Sequence, residues 1–179
     1  MSNTADQNFN KRQDQPSQIT QPFKVLCVCL GNICRSPTAE VILQQQALRA
    51  GLNIQVDSAG TSNYHPNKAP DSRSQRHALA HGYDLSRLRA RQLQLADFQD
   101  FDLILAMDHE NYADILKLKA QLDQVNSKVA MMSEHDASYP KQSLPDPYYG
   151  GEDGFERVIA QCESSSRAWV QYWQSQNIG

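Results

Sequence analysis

A cysteine and an arginine, Cys29 and Arg35, stand six residues apart in a segment that could support nucleophilic chemistry, CLGNICRS. The largely apolar run at 23–28 before it is typical of a buried strand, and the sequence PTAEVIL after it is typical of a helix. A loop between a strand and a helix directs backbone N–H groups and the positive end of the helix dipole toward one point, which favours an anion. A thiol at that point is expected to be largely ionised, and Arg35 offers a planar set of donors for a phosphate-like oxyanion. The segment therefore predicts a covalent-catalysis loop with a nucleophile, an oxyanion cradle and an arginine clamp.

The residues after Cys29 favour a tight loop. Gly31 and Asn32 both tolerate positive φ angles. Ser36 and Pro37 predict the start of the helix, because serine is a favoured N-cap and proline a favoured first helical residue. The alternative interpretation is a buried cysteine at a strand end with an unrelated surface arginine nearby.

A second unusual segment, LPDPYYG at 144–150, places an aspartate between two prolines. The prolines stiffen the backbone around Asp146, so that its carboxyl group can be held in one position, as a general acid requires. Tyr148 and Tyr149 could form the wall of a pocket for a flat substrate. The alternative interpretation of this segment is an ordinary acidic turn.

Strand-like and helix-like segments alternate along the chain after Phe23. Strands are predicted at 23–29, 53–58, 102–107 and 128–132. Helices are predicted at 37–50, from 71 or 72 to 81, at 111–119 and at 155–174, with Gly51 and Gly82 ending the first two. This pattern predicts a single α/β domain in which a four-stranded parallel sheet is covered by helices on both faces. The phosphate-binding loop follows the first strand, at the carboxyl edge of the sheet where ligands bind in such folds.

Composition narrows the classes of function. The chain has 179 residues and a net charge of −3, which argues against general affinity for nucleic acid. It contains no apolar segment long enough to cross a bilayer and no apolar N-terminal segment typical of a secretory signal. Its four cysteines do not resemble a disulfide framework, so a cytoplasmic location is expected. Residues 1–22 are polar and predict a disordered tail, and residues 23–176 predict the catalytic domain.

The two motifs together resemble those of the low-molecular-weight protein tyrosine phosphatases. CLGNICRS at 29–36 and DPYYG at 146–150 carry the resemblance, and DSAGTS at 57–62 and FDLILAMD at 101–108 extend it. The resemblance implies that Cys29 is the nucleophile, that Arg35 binds two phosphate oxygens and that Asp146 is the general acid. It also implies a phosphate cradle made by the backbone amides of Leu30, Gly31, Asn32, Ile33, Cys34 and Arg35.

Supporting roles for further residues follow from the same resemblance. Asn32 would hold the loop open through its strained backbone and its side chain, and Ser36 would donate a hydrogen bond to the Cys29 thiolate. Cys34 would form a reversible disulfide with Cys29 and so protect it from irreversible oxidation. Aromatic pocket walls are expected from Tyr64, Tyr148 and Tyr149.

The implied reaction is a two-step hydrolysis of phosphotyrosine in proteins, or of small aryl phosphates, with inorganic phosphate as a product. Cys29 would form a phosphocysteine while Asp146 protonates the leaving phenolic oxygen, and Asp146 would then take a proton from the attacking water. No metal or other cofactor is expected, because Arg35 and the loop amides supply the positive field. Activity is expected to favour mildly acidic pH, since Asp146 must carry a proton when the free enzyme meets its substrate.

Three other functions are compatible with parts of the pattern. A thioredoxin-coupled arsenate reductase would need a relay cysteine, but no cysteine occurs between Cys34 and Cys162, and Cys27 is expected to pack in the core. A protein-arginine phosphatase is expected to have threonine where Ile33 stands. A phosphate-binding pseudo-phosphatase is expected to lack the nucleophile, the clamp or the acid. The oligomeric state stays open.

Three further groups of residues are interpreted as structural. The His–carboxylate clusters at 108–110 and 134–136 lie in polar, turn-like sequence that predicts solvated loops. His77 and His81 share one face of a predicted helix, where packing or capping is favoured over zinc binding. A short basic run is predicted to form a solvated or acid-paired surface: Arg87, Arg89 and Arg91.

Overall fold

The structure, a computed structural model, describes residues 21–179 and confirms the predicted single α/β domain. Four parallel strands form its sheet in the order β2-β1-β3-β4. The strands are β1 (Phe23–Cys29), β2 (Ile54–Gly60), β3 (Leu103–Ala106) and β4 (Lys128–Met131). The chain reverses its direction of winding between β1 and β3, so the crevice beyond the carboxyl ends of these two strands is the expected place for a ligand. The predicted tail lies outside the described residues apart from Gln21 and Pro22.

Helices cover both faces of the sheet, as predicted. They are α1 (Arg35–Arg49), α2 (Ser72–Ala80), α3 (Asp97–Asp100), α4 (His109–Lys119) and α5 (Glu152–Gln176). One apolar core joins the sheet to α1, α2 and α5, with Leu43 and Trp173 among its buried members. A second core joins the opposite face to α3 and α4 through Phe98 and Ile115. No helix within residues 21–179 has the length and apolar character that a membrane span requires.

The central strands are buried on both faces because each has a neighbour on either side and helices above and below. All four residues of β3 are buried, and so are the last five residues of β1. The edge strands β2 and β4 expose Gln55 and Lys128. This difference explains why the segments that form β1 and β3 are more apolar than those that form β2 and β4.

The start of α1 differs from the prediction. The helix begins at Arg35 with Cys34 at the N-cap position, and no side chain caps it. The prediction that Ser36 is the N-cap and Pro37 the first helical residue is therefore wrong. The hydroxyl of Ser36 contacts Cys29 and Asn32 in the loop and does not cap the helix. The predicted helix ends are confirmed: Gly51 (φ 73°) and Gly82 (φ 85°) directly follow the C-caps of α1 and α2.

The starts of the other helices were compared with the predicted ones. Asp71 caps α2 by accepting a hydrogen bond from Arg73 N at 2.9 Å, so this helix begins at Ser72, which is one of the two predicted starts. Asp108 caps α4 by accepting from Asn111 N at 2.6 Å, so this helix starts two residues earlier than predicted. The short helix α3 was not predicted, and α5 starts at Glu152, three residues before the predicted position.

The helix α5 is fixed to the sheet by a buried aromatic contact. The ring centroid of Trp173 lies 6.1 Å from that of Phe23 in β1 and 5.5 Å from that of Trp169. Only 1% of Trp173 is exposed, so its truncation leaves a cavity that the surrounding side chains fill only partly.

We expect Trp173→Ala to lower the free energy of unfolding by about 3–5 kcal/mol, measured by urea denaturation. Leu79→Ala on α2 is the control, because that leucine is 63% exposed, and its change is expected to stay within about 0.5 kcal/mol. Similar losses for the two variants would contradict the assignment of Trp173 to the core.

Candidate active site

Cys29 is the last residue of β1, and its side chain is buried at the carboxyl end of the sheet. Its sulfur accepts a hydrogen bond from Asn32 N at 3.3 Å and lies 3.1 Å from Ser36 Oγ. Both contacts favour a negatively charged sulfur when Ser36 donates. The neighbouring Cys34 differs, because burial raises its pKa to about 12 and keeps it a neutral thiol.

The loop after Cys29 turns through a left-handed residue, Asn32, whose φ is 54°. Its Nδ2 donates to Ser36 Oγ and to Ser58 Oγ, each at 2.9 Å. Its Oδ1 accepts from Arg91 N at 2.9 Å. These bonds use both amide hydrogens and the carbonyl, so the side chain holds a backbone conformation that would otherwise be unfavourable.

Arg35 lies at the base of the loop with only 4% of its surface exposed. Its Nη1 donates to Asp108 Oδ2 at 2.5 Å, and its Nη2 donates to Asp146 Oδ2 at 3.0 Å. Burial lowers the pKa of Arg35, but the negative charges of Cys29, Asp146 and Asp108 outweigh that effect, and the pKa is raised. The guanidinium is therefore permanently charged and is held in place by two carboxylates.

Asp146 enters the site from the loop before α5. Its Oδ1 accepts from Tyr148 N at 3.0 Å, and 44% of its side chain stays exposed. Arg73 on α2 anchors this loop by donating to Tyr148 O at 3.1 Å, while its guanidinium lies 4.9 Å from the centre of the Phe155 ring. Asp71 in turn accepts from the guanidinium of Arg73 at 2.9 Å. The carboxyl of Asp146 is thus held between Arg35 and a loop that is fixed to α2.

These side chains enclose one cavity of about 110 Å³. Its lining contains predicted site residues from both motifs and from the loop after β2: Cys29, Leu30, Gly31, Ile33, Cys34, Arg35, Tyr64, Asp146, Tyr148 and Tyr149. Asn32 and Ser36 do not line it but contact the sulfur from behind. Tyr149 is 95% exposed and stands at the rim, 4.9 Å from Tyr148 between ring centres.

Two residues of the site were missed by the sequence analysis. Asp108 was assigned to a solvated loop, but its side chain is 18% exposed and is paired with Arg35. Its position directly after a buried strand at the carboxyl edge of the sheet was the signal that could have found it. His65 also lines the cavity, 6.4 Å from Tyr148 between ring centres. A Cβ on Gly31 would come within 3.2 Å of the His65 ring, so the two residues are packed together.

The other polar clusters have structural partners. His77 and His81 contact Glu156 on α5, at 2.5 and 2.8 Å. Asp136 was predicted to be solvated, but it is buried and accepts from Ser165 Oγ at 2.8 Å. Within residues 21–179, no group of three or more His, Cys, Asp or Glu side chains is arranged to hold a metal ion.

The basic run at 87–91 ends in an ion pair network. Arg91 Nη2 lies 2.9 Å from Asp57 Oδ2, and Arg91 Nη1 lies 3.0 Å from Asp97 Oδ2. The predicted acid pairing of this surface is therefore confirmed at Arg91, whose backbone N–H also supports Asn32 in the loop.

The chain is similar to known proteins over nearly all of its described residues. The family described as low molecular weight phosphotyrosine protein phosphatase matches residues 24–177. The chain is 39% identical to the human low molecular weight phosphotyrosine protein phosphatase over 151 residues, which cover 82% of this chain and 93% of the human protein.

Two solved structures share the whole fold. A protein tyrosine phosphatase from Entamoeba histolytica superposes with a TM-score of 0.81 at 35% identity, covering 87% of this chain and 99% of that one. An arginine phosphatase from Drosophila superposes with a TM-score of 0.80 at 31% identity, covering 84% and 98%. The chain belongs to the low molecular weight phosphotyrosine protein phosphatase family.

The loop also depends on the closeness of β2. A Cβ added to Gly60 would stand 2.7 Å from Leu30 O and 3.2 Å from Asn32 N, and both are backbone atoms that cannot move without moving the loop. Only glycine therefore lets the end of β2 lie against the loop that follows Cys29.

We expect Gly60→Ala to weaken the binding of inorganic phosphate by at least about tenfold, measured by calorimetry, because displaced amides no longer converge on one anion. Gly151→Ala is the control, since nothing lies within 4 Å of its added Cβ and its φ is −79°. Unchanged phosphate affinity in a folded Gly60→Ala variant would contradict this account of the loop.

Proposed function

We propose that this protein is a protein-tyrosine-phosphatase that hydrolyses phosphotyrosine and other aryl phosphates through a phosphocysteine intermediate. Cys29 is the nucleophile, Arg35 the phosphate clamp and Asp146 the general acid and base, in a catalytic domain at 23–176. One observation carries the proposal: all three side chains line the same cavity, with Arg35 Nη2 3.0 Å from the Asp146 carboxylate. Family membership supports the same reaction.

In the first step, the Cys29 thiolate attacks phosphorus in line with the phenolic oxygen, so that an S–P bond forms as the O–P bond breaks. The backbone amides of the loop and the guanidinium of Arg35 stabilise the charge on the equatorial oxygens. The phosphate replaces Asp146 as the partner of Arg35, and the protonated carboxyl group of Asp146 gives its proton to the leaving oxygen as the O–P bond breaks. Asp108 keeps Arg35 in place throughout.

In the second step, Asp146 accepts a proton from the water that attacks phosphorus. The new O–P bond forms as the S–P bond breaks, inorganic phosphate is released, and Cys29 leaves as a thiolate. Asn32 N and Ser36 Oγ, at 3.3 and 3.1 Å from the sulfur, stabilise the charge that returns to it. Because Asp146 must carry a proton when the free enzyme meets its substrate, activity is expected to favour mildly acidic pH.

The shape of the cavity favours an aryl phosphate. Tyr64 and Tyr148 offer aromatic walls, and Ile33 adds an apolar side chain to the lining of the cavity. A phosphoarginine substrate carries a charged, planar guanidino group, for which a polar side chain at position 33 would be better suited than isoleucine. The apolar side chain of Ile33 therefore favours a tyrosine phosphatase over an arginine phosphatase of the same fold.

A disulfide relay of the arsenate-reductase type has little support in the chain. Cys27 and Cys162 are fully buried in the core between the sheet and α1 and α5, and burial raises the pKa of both thiols. Neither side chain can reach an external reductant without unfolding of the core. Cys34 is the remaining candidate partner for Cys29, and its role as a reversible redox guard is part of this proposal.

Phosphotyrosine-containing proteins and small aryl phosphates are the proposed substrates, with no metal or cofactor required. A cytoplasmic location is proposed because the four cysteines, including Cys29, are all free thiols.

We expect Cys29→Ser to lower turnover of p-nitrophenyl phosphate by at least about 10³-fold, because a serine hydroxyl at this position is not ionised. Binding of inorganic phosphate, measured by calorimetry, is expected to persist since the cradle is intact. Cys162→Ala is the control for the loss of a buried thiol away from the cavity. Normal turnover in Cys29→Ser would exclude Cys29 as the nucleophile.

For Asp146→Ala, the loss is expected to depend on the leaving group. Turnover of phosphotyrosine should fall by about 10²–10⁴-fold, whereas p-nitrophenyl phosphate, whose leaving group needs little protonation, should lose much less. Steady-state kinetics on both substrates provide the measurement, with Asp153→Ala, an exposed aspartate of the same region, as the control. Equal losses on the two substrates would mean that Asp146 is not the leaving-group acid.

A further inference from the structure

Tyr148 holds the general acid through its backbone. Within residues 21–179 the Asp146 carboxylate accepts two hydrogen bonds, one at Oδ2 from Arg35 Nη2 and one at Oδ1 from Tyr148 N, each at 3.0 Å. In the proposed first step the phosphate replaces Asp146 as the partner of Arg35. The Tyr148 N–H is then the donor that keeps the carboxyl group in place.

This N–H also favours one position for the acidic proton. A carboxyl oxygen that accepts from an N–H uses its lone pairs in that bond, so the proton of a neutral Asp146 is favoured on the other oxygen, Oδ2. Oδ2 is the oxygen that faces Arg35, where the phosphate binds in the proposed reaction. The position of Tyr148 therefore helps to direct the proton toward the leaving oxygen.

Arg73 on α2 binds the carbonyl of the same tyrosine. Its Nη2 donates to Tyr148 O at 3.1 Å. The guanidinium also lies 5.6 Å from the centre of the Tyr148 ring and 4.9 Å from the centre of the Phe155 ring. Arg73 thus contacts both the backbone and the side chain of the residue whose N–H orients Asp146.

The segment that carries Asp146 is held differently on its two sides. Before Asp146, Leu144 is 1% exposed and donates from its N–H to Met107 O at 2.7 Å, which joins the segment to the sheet. After Tyr148, residues 149–151 are exposed. We therefore expect loss of the Arg73 contact to loosen the part that follows Asp146 and to leave the part before it in the core.

Asp71 fixes the guanidinium of Arg73. Its Oδ1 accepts from Arg73 Nε at 3.0 Å, and its Oδ2 accepts from Arg73 Nη2 at 2.9 Å. Exposed ion pairs contribute little on average, but this pair is forked and only 32% and 13% of its side chains are exposed, so its geometry is well defined. The backbone N–H of Asp71 donates in turn to Ile33 O of the phosphate loop at 2.8 Å. A series of hydrogen bonds thus connects the phosphate loop with the general acid.

We propose that Arg73 is a positioning residue that, held by Asp71 and acting through Tyr148, fixes the Asp146 carboxyl group relative to the phosphate loop. This role rests on the proposed function. In the first step the proton of Asp146 moves to the phenolic oxygen as the O–P bond breaks and the S–P bond to Cys29 forms. Arg73 takes no part in the bonds that change, and its effect is on proton transfer to the leaving group.

Arg73→Met tests this role, because methionine keeps an unbranched side chain and removes the guanidinium. Phenyl phosphate and p-nitrophenyl phosphate differ in the nitro group, which makes the second leaving group far less dependent on an acid. We expect kcat/KM to fall by about ten- to a hundredfold on phenyl phosphate and by less than about threefold on p-nitrophenyl phosphate. The ratio of the two values does not depend on the fraction of folded protein. Equal losses on the two substrates would overturn the inference.

Arg76→Met is the matched control. Arg76 lies on the same helix and pairs with Glu152 of α5 at 2.7 Å. Its substitution also removes a guanidinium and an ion pair between α2 and α5, but no hydrogen bond to Tyr148 within the described residues. We expect its ratio of kcat/KM values to equal that of the wild type. A change as large as that of Arg73→Met would contradict a role that depends on Tyr148.

A double variant separates positioning from a direct effect of the Arg73 charge. If Arg73 acts through Asp146, then Arg73→Met combined with Asp146→Ala should show the same ratio of kcat/KM values as Asp146→Ala alone. A further loss on phenyl phosphate that p-nitrophenyl phosphate does not share would overturn the inference, because Arg73 would then act without Asp146.

The role of Arg73 and the proposed function fail in different ways. A wild-type protein that hydrolyses neither aryl phosphate would overturn both. Wild-type activity on the two substrates, together with equal losses in Arg73→Met, would overturn only the role of Arg73.

Discussion

The geometry of the site depends on one strained residue, Asn32, and on the three hydrogen bonds that hold its side chain. A left-handed backbone at a non-glycine residue has a cost, and the structure offsets it with partners from three different segments: Ser36 on α1, Ser58 on β2 and the backbone of Arg91. Since these segments meet only in the folded chain, the shape of the anion cradle is a product of the tertiary fold. The loop is rigid because distant parts of the chain pack around it.

The position of the charged Arg35 side chain also depends on contacts between distant segments. Arg35 is almost fully buried, and a buried guanidinium is tolerated only where acceptors surround it. Asp108 and Asp146 supply them, one from the end of β3 and the other from the loop before α5. Asp108 is the less exposed of the two and fixes the guanidinium, whereas Asp146 is half exposed, as the proposed exchange of its ion pair for a phosphate requires. Two carboxylates that contact one arginine thus have different roles because their exposure to solvent differs.

Much of the fold and of the candidate site could be predicted from the sequence, because the signals lie within short segments of the chain. The strand β1 was predicted with its full range because it is a central strand and nearly all apolar. Residue type and spacing in the two motifs singled out Cys29, Arg35 and Asp146, which line one cavity in the structure. Contacts between distant segments were not predictable in the same way. Asp108 was taken for a solvated loop residue because its partner is 73 residues away along the chain. The early start of α1 was not predicted, because sequence preference alone assigns Ser36 to the N-cap. In the structure the Ser36 hydroxyl binds Asn32 of the loop. Ser58 stands in ordinary strand sequence, and its contact with Asn32 arises only in the folded chain.

The central claim is that phosphate passes through the sulfur of Cys29. Mass spectrometry of the protein quenched in acid during turnover of an aryl phosphate tests it directly, by locating the phosphoryl group on the peptide chain. We expect a single phosphorylated residue, S-phosphocysteine at position 29, which disappears when substrate is exhausted. A phosphoryl group on any other side chain, or active turnover with no covalent phosphate on Cys29, would contradict it.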